Sequence, residues 1–158
     1  MEAILLEVGA SHVTTIEYGE MESSHPQLTV LTPSQATRRW QRGELEFDGG
    51  VTYSSIEHSG LGRYGDILNP FGDIQAVAKA WCYTRPGGAL LLGQLESETR
   101  DELVYNAHRV YGPRRWPHLL ANWEQVDRVP VPKGRDGANA MLLMQKSKVL
   151  LGAGSRSG

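Results

Sequence analysis

Residues 47–88 read FDGGVTYSSIEHSGLGRYGDILNPFGDIQAVAKAWCYTRPGG, and the order of residue types in this stretch decides the fold. Phe47 to Ser54 suits a strand, since Val51, Thr52 and Tyr53 favour extended backbone, although Gly49-Gly50 weakens it. Ser55 to Gly72 is punctuated by glycines and Pro70, the composition of a long loop. Asp73 stands where an N-cap belongs for the helix that follows. Ile74, Val77, Ala78, Trp81 and Cys82 recur at i, i+3, i+4, i+7 and i+8, one apolar stripe. Pro86-Gly87-Gly88 stops that helix. Ala89 to Leu95 is then a nearly continuous apolar run, as in a strand covered on both faces. This order puts Ser-Ser-Ile-Glu-His at the carboxyl end of a strand, where open α/β sheets bind ligands.

Outward from this stretch the pattern continues. Residues 2–8 are helix formers followed by Gly9 as a C′ residue. His12 to Tyr18 is rich in β-branched residues and reads as a strand closed by Gly19. Leu28 to Leu31 is a short strand stopped by Pro33, and 34–46 reads as an exposed helix or an irregular connection. Trp116 to Trp123 reads as a short helix. Glu124 to Val131 and Ala140 to Gln145 form an antiparallel pair joined by the turn-forming residues 132–137. The whole indicates one α/β domain over residues 1–151, its sheet carrying a reversed edge strand, with 152–158 (GAGSRSG) as a flexible tail.

Composition narrows the function classes. At 158 residues the chain fits one domain, and 40% apolar with 22% charged residues is ordinary for a globular protein. A net charge of −2 argues against general nucleic-acid or anionic-membrane binding, both of which need a basic surplus. The single Cys82 excludes an internal disulfide and a multi-cysteine zinc site. No apolar run reaches the roughly 20 residues of a membrane helix, and Ile4-Leu5-Leu6 between Glu2 and Glu7 makes a poor signal peptide. A cytoplasmic location is the default expectation, and the oligomeric state is open.

Phe47-Asp48 opening a strand, Glu57-His58 at its end and Arg85-Pro86-Gly87-Gly88 before the next strand resemble the second half of a class I S-adenosylmethionine (SAM) methyltransferase domain. SSIEHSGLGRYGD, NPFGD and YNAHRVYGP resemble, more narrowly, the DUF268 family, first catalogued as a nematode domain of unknown function. The likeness runs from about Gly9 to Gln145 and implies a three-layer α/β sandwich of the Rossmann-like methyltransferase type. Within that pattern Leu5 to Ala10 does not serve as the cofactor's glycine loop, because Glu17 follows with no room for a helix. The alignment that keeps Glu17 as the ribose-binding acid makes residues 1–8 the remnant of the first helix. The first strand and its loop are then missing.

The resemblance implies SAM as cofactor, with Glu17 on the ribose and Tyr53, Ser54 and Ser55 lining the cofactor floor. Glu57, His58, Asp66, His108 and Arg109 would face an unidentified methyl acceptor, a small molecule or glycan rather than nucleic acid. A His–carboxylate pair such as His58 and Glu57 suits general-base work, and His108-Arg109 suits an acidic acceptor group. Other readings of the same residues stay open. His58 can equally brace its loop, and Asn106 and Tyr111 can tie theirs. Gly60-Leu61-Gly62-Arg63-Tyr64-Gly65 has the form G-x-G-x-x-G, but no helix opens at its end, so an ordinary glycine-rich loop fits better than a phosphate cradle. His58, Asp66 and His108, with Asp73, are the residue types of a metal-dependent enzyme, without a ligand spacing to support it. A non-catalytic fragment or binding module that has lost the cofactor loop is the remaining alternative.

Overall fold

The computed structural model describes residues 1–19, 21–130 and 138–147. The turn expected at 132–137 and the tail expected at 152–158 lie outside the described residues. The chain divides into two compact units between Leu45 and Glu46.

In the amino-terminal unit, helix α1 (Glu2–Glu7) is followed by Gly9, whose φ of +105° is open to glycine at little cost. Strands β1 (Val13–Ile16) and β2 (Leu28–Leu31) pair in parallel, Val13 opposite Leu28 and Ile16 opposite Leu31. The Thr15 hydroxyl donates to the Glu2 carboxylate at 2.9 Å and so fastens α1 to β1. Helix α2 (Pro33–Gln41) settles the segment left open by the sequence. Pro33 is the first residue of this helix, where its missing N–H costs nothing. Thr32 and Gln35 form a capping box, with Thr32 N–H to Gln35 Oε1 at 2.7 Å and Gln35 N–H to Thr32 Oγ1 at 3.3 Å.

The carboxyl-terminal unit holds β3 (Phe47–Tyr53), α3 (Gly72–Tyr83), β4 (Thr84–Glu96), β5 (Glu102–Val104), β6 (His108–Val110), α4 (Trp116–Leu119), β7 (Trp123–Pro130) and β8 (Ala138–Lys146). Its main sheet has the order β3-β4-β8-β7. β3 runs parallel to β4, while β8 is antiparallel to both β4 and β7. The expected terminal antiparallel pair is present, and Trp123 opens β7 instead of closing the preceding helix. Between Phe47↔Thr84 and Gly49↔Ala89 the register shifts, so Arg85-Pro86-Gly87-Gly88 is an irregularity at the start of β4. β5 and β6 form a separate hairpin that the sequence did not announce.

One face of β4 presents Leu90 and Leu92 to a core that includes Ile56, Val77, Tyr111, Leu119, Trp123, Leu142 and Met144. Leu91 and Leu95, on the other face, are half-buried, so the covering on both faces is incomplete. The stripe of α3 is turned slightly from expectation. Ile74, Ala76, Val77, Ala80 and Trp81 pack on the core, Ala78 is exposed, and Cys82 is half-buried outside the cluster.

α3 ends on a charge from the last strand. Lys146 Nζ donates to the Trp81 and Thr84 carbonyls at 2.9 and 2.6 Å and sits 3.9 Å from the Trp81 ring centroid. A cation at a helix carboxyl end meets both its free carbonyls and its dipole. Lys146→Met keeps the aliphatic stem and removes all three interactions. We expect a loss of about 2 kcal/mol, read as a lower urea midpoint with an unchanged m-value.

Candidate active site at the carboxyl end of the third strand

β3 ends at Tyr53, and the chain turns at Ser54, whose φ of +46° is unusual for a residue with a side chain. Two bonds hold that turn. Ser54 N–H donates to the Gly93 carbonyl at 3.0 Å, and its hydroxyl donates to Glu57 Oε1 at 2.7 Å. A single 3₁₀ turn, Ile56–His58, follows. Glu57 within it is fully buried, and its Oε2 is buried with no hydrogen-bond partner among the described residues.

His58 Nδ1 lies 2.5 Å from the Ala107 carbonyl at the tip of the β5–β6 hairpin. A carbonyl only accepts, so Nδ1 carries the proton and the neutral ring has its lone pair on Nε2. Nε2 is 3.7 Å from Glu57 Oε1. Around the ring stand Tyr64, edge-on with centroids 5.6 Å apart, and His108 at 6.3 Å. Arg63, which the sequence did not single out, donates to the same Ala107 carbonyl at 3.4 Å and lies 5.6 Å from the Tyr64 ring centroid.

The other two residues read as facing the acceptor are placed differently. Arg109 is 4% exposed and turned inward. Its guanidinium donates to the carbonyls of Ser59 (2.6 Å), Glu57 (3.3 Å) and Asn69 (3.4 Å). Asp66 closes the glycine-rich loop on itself, accepting from Gly60 N–H at 2.6 Å and Tyr64 N–H at 3.3 Å. Burial would raise its carboxyl, but the N–H groups of Gly60, Tyr64, Gly62 and Asp66 itself outweigh that and lower it. All three glycines of the G-x-G-x-x-G run have φ between +76° and +81°. A side chain on Gly60 would run into the Asn69 carbonyl, so this glycine permits a backbone crossing.

Asp73 corrects the sequence reading most clearly. The N-cap of α3 is Phe71, with no side-chain cap bond, and Asp73 lies inside the first turn, fully buried. Its two oxygens take Arg115 in a fork, Nη2 at 2.6 Å and Nε at 2.8 Å. Arg109 Nε lies 3.7 Å from the same carboxylate. The bond to Asp73 raises Arg115 further, opposed by burial, while burial and then the Asp73 charge push the Tyr111 phenol far up. Arg115 also donates to the Pro70 carbonyl at 2.6 Å. Asp101 organises the chain after the hairpin, accepting from the N–H groups of Gly112, Arg115 and Arg114 at 2.7, 3.0 and 3.1 Å.

Of the residues assigned to a cofactor, Tyr53, Ser54 and Ser55 are exposed at the end of β3. Glu17 belongs to the amino-terminal unit, directly after β1 and half-buried, with Oε1 accepting from Tyr18 N–H at 2.8 Å. Among the described residues no three His, Cys, Asp or Glu side chains converge to hold a metal ion. Nor, among them, is any helix long and apolar enough to cross a membrane.

Residues 1–142 match the sequence profile of a family described as "Caenorhabditis protein of unknown function, DUF268". The chain belongs to the DUF268 family. No curated protein matches its sequence. Among solved structures, this DUF268 chain is similar to 1,6-didemethyltoxoflavin-N1-methyltransferase of Burkholderia thailandensis, crystallised with 1,6-didemethyltoxoflavin and S-adenosylhomocysteine. The TM-score is 0.60 at 20% identity, over 92% of this chain and 65% of that one. TehB from Haemophilus influenzae matches with a TM-score of 0.55 at 12% identity, over 92% of this chain and 53% of that one. An O-methyltransferase family protein from Burkholderia thailandensis gives 0.50 at 12%, over 77% and 36%. The DUF268 chain thus spans about two thirds or less of each neighbour's length. Its fold is the α/β fold of the class I SAM-dependent methyltransferases.

Two outcomes follow from these contacts. Asp66 and Asp101 both have folded pKa values lowered by backbone N–H groups, burial opposing. A lowered carboxylate contributes stability above its unfolded pKa of about 3.9 and loses it as pH falls toward the folded value. Urea unfolding between pH 7 and 3 should therefore show stability falling at the acid end, with a shallower fall in Asp66→Asn. Asp73→Asn leaves two inward guanidinium groups without their counter-charge. It should cost about 3–5 kcal/mol by the same urea measurement at pH 7.

Proposed function

We propose that this chain serves SAM-dependent methyl transfer to a small-molecule or glycan acceptor, with His58 as the base at the acceptor side. The observation that carries the reading is the orientation of His58. Its Nδ1–H is committed to Ala107, which leaves the Nε2 lone pair to take a proton. Tyr64, His108 and Arg63 surround the ring and would shape the acceptor's approach. Glu57 is fully buried and acts on the acceptor only through His58. Arg109 and Asp66 hold the backbone of the site.

The donor set suits the cofactor chemically. In the amino-terminal unit Glu17 is a carboxylate just past a strand end that would accept from ribose hydroxyls. In the carboxyl-terminal unit Tyr53 and Ser55 are exposed residues at the end of β3, while the Ser54 hydroxyl is given to Glu57. When bound, SAM supplies a methyl group activated by its cationic sulfur. What remains for these side chains is to align the acceptor and receive its proton. The methyltransferase neighbours support this reading, as does a net charge of −2, unsuited to a nucleic-acid acceptor.

Calorimetric titration with S-adenosylhomocysteine tests it. We expect micromolar binding by the folded chain, weakened about 10- to 100-fold in Glu17→Ala through loss of charge-assisted hydrogen bonds. A folded chain that does not bind would instead be a non-catalytic binding module on the same scaffold.

A further inference from the structure

His58 is useful as a base only while its ring keeps one tautomer and one direction. The bond that fixes it among the described residues, Nδ1–H to the Ala107 carbonyl, joins the 3₁₀ turn to the β5–β6 hairpin. Those two segments are far apart in sequence, and something must hold them in register. Arg109 is placed to do so. It stands on β6, two residues after Ala107, and its Nη1 donates to the carbonyls of Glu57 and Ser59, the residues on either side of His58. The guanidinium therefore brackets His58 from the same strand that supplies its acceptor. Nη2 reaches on to the Asn69 carbonyl, and Asp73 lies against Nε.

We infer that Arg109 is a positioning residue of this site, whose buried guanidinium sets the tautomer and direction of His58. The inference rests on the proposed role of His58 and gives Arg109 a task other than binding the acceptor, since a side chain 4% exposed has no face to offer one. The task calls for a planar fork. A lysine ammonium at this place retains the charge beside Asp73 but is a point donor and cannot span three separate carbonyls.

Long-range ¹H–¹⁵N spectra of protein with ¹⁵N-labelled histidine, recorded above the imidazole pKa, read the tautomer directly. His58 is assigned by the signal missing from His58→Gln. We expect wild type to show His58 as the Nδ1–H tautomer alone. Arg109→Lys, still melting cooperatively, should show a mixture of both tautomers, and Arg114→Ala should match wild type. In Arg109→Ala, added ethylguanidinium should restore the single tautomer. An unchanged His58 signature in a folded Arg109→Lys chain would overturn the inference, as would a wild-type ring lacking the Nδ1–H form. Failure of both Arg109 variants to fold, without rescue by ethylguanidinium, would reduce Arg109 to a structural ion and sink it equally. Titration of S-adenosylhomocysteine into the wild-type chain stands apart, because absent binding there removes the methyltransferase reading and leaves the tautomer result standing.

Discussion

A carboxylate with no solvent exposure has to be paired or hydrogen-bonded, and Asp73 is such a carboxylate. Two features answer it, the amino end of α3, where Asp73 sits in the first turn, and a pair of arginines. Each arginine has donors left over after facing Asp73, and these go to backbone carbonyls. Arg115 takes Pro70, while Arg109 takes Glu57, Ser59 and Asn69. A single desolvated charge thereby ties the start of α3, the turn before it, the 3₁₀ turn and the hairpin strand β6 into one body. The site is a by-product of satisfying that charge.

The close approach of backbones in the same region has a steric counterpart. Gly60 and Gly72 cross, so that a side chain on Gly72 would meet Gly60 Cα and the Ser59 carbonyl. The loop can return to the head of α3 only because both residues lack Cβ. The first glycine of the run thus serves chain crossing.

Local signals were legible and distant pairings were not. β3, α3, β4 and the final antiparallel pair could be read from periodicity because each owes its form to its own residues. The Thr32–Gln35 capping box is also written in the sequence, where Pro33 reads as the end of a strand and is in fact the first residue of α2. Glu57 and His58 could be named, since their place after a strand follows from local order. The fate of Arg109 could not, because whether a guanidinium points out to a ligand or in to a carboxylate depends on Asp73, far back in the chain. Asp73 looked like a cap for the same reason, its partners being invisible locally. The β5–β6 hairpin was missed because its strands are three residues each, and Asn106, with φ of +49°, makes a turn that a glycine would have advertised.

The pairing of β4 with β8 has a bearing on how the chain is made. β4 follows its parallel neighbour β3 in the chain, but its other edge pairs with residues 138–145, far later in the sequence. During synthesis at a ribosome, Leu90 and Leu92 therefore wait with an open strand edge beside them until the last strand emerges. Over that interval the nascent chain offers neighbouring polypeptides a sticky template. Its yield in a cell should respond to holdase chaperones and to growth temperature more strongly than the stability of the finished protein would suggest.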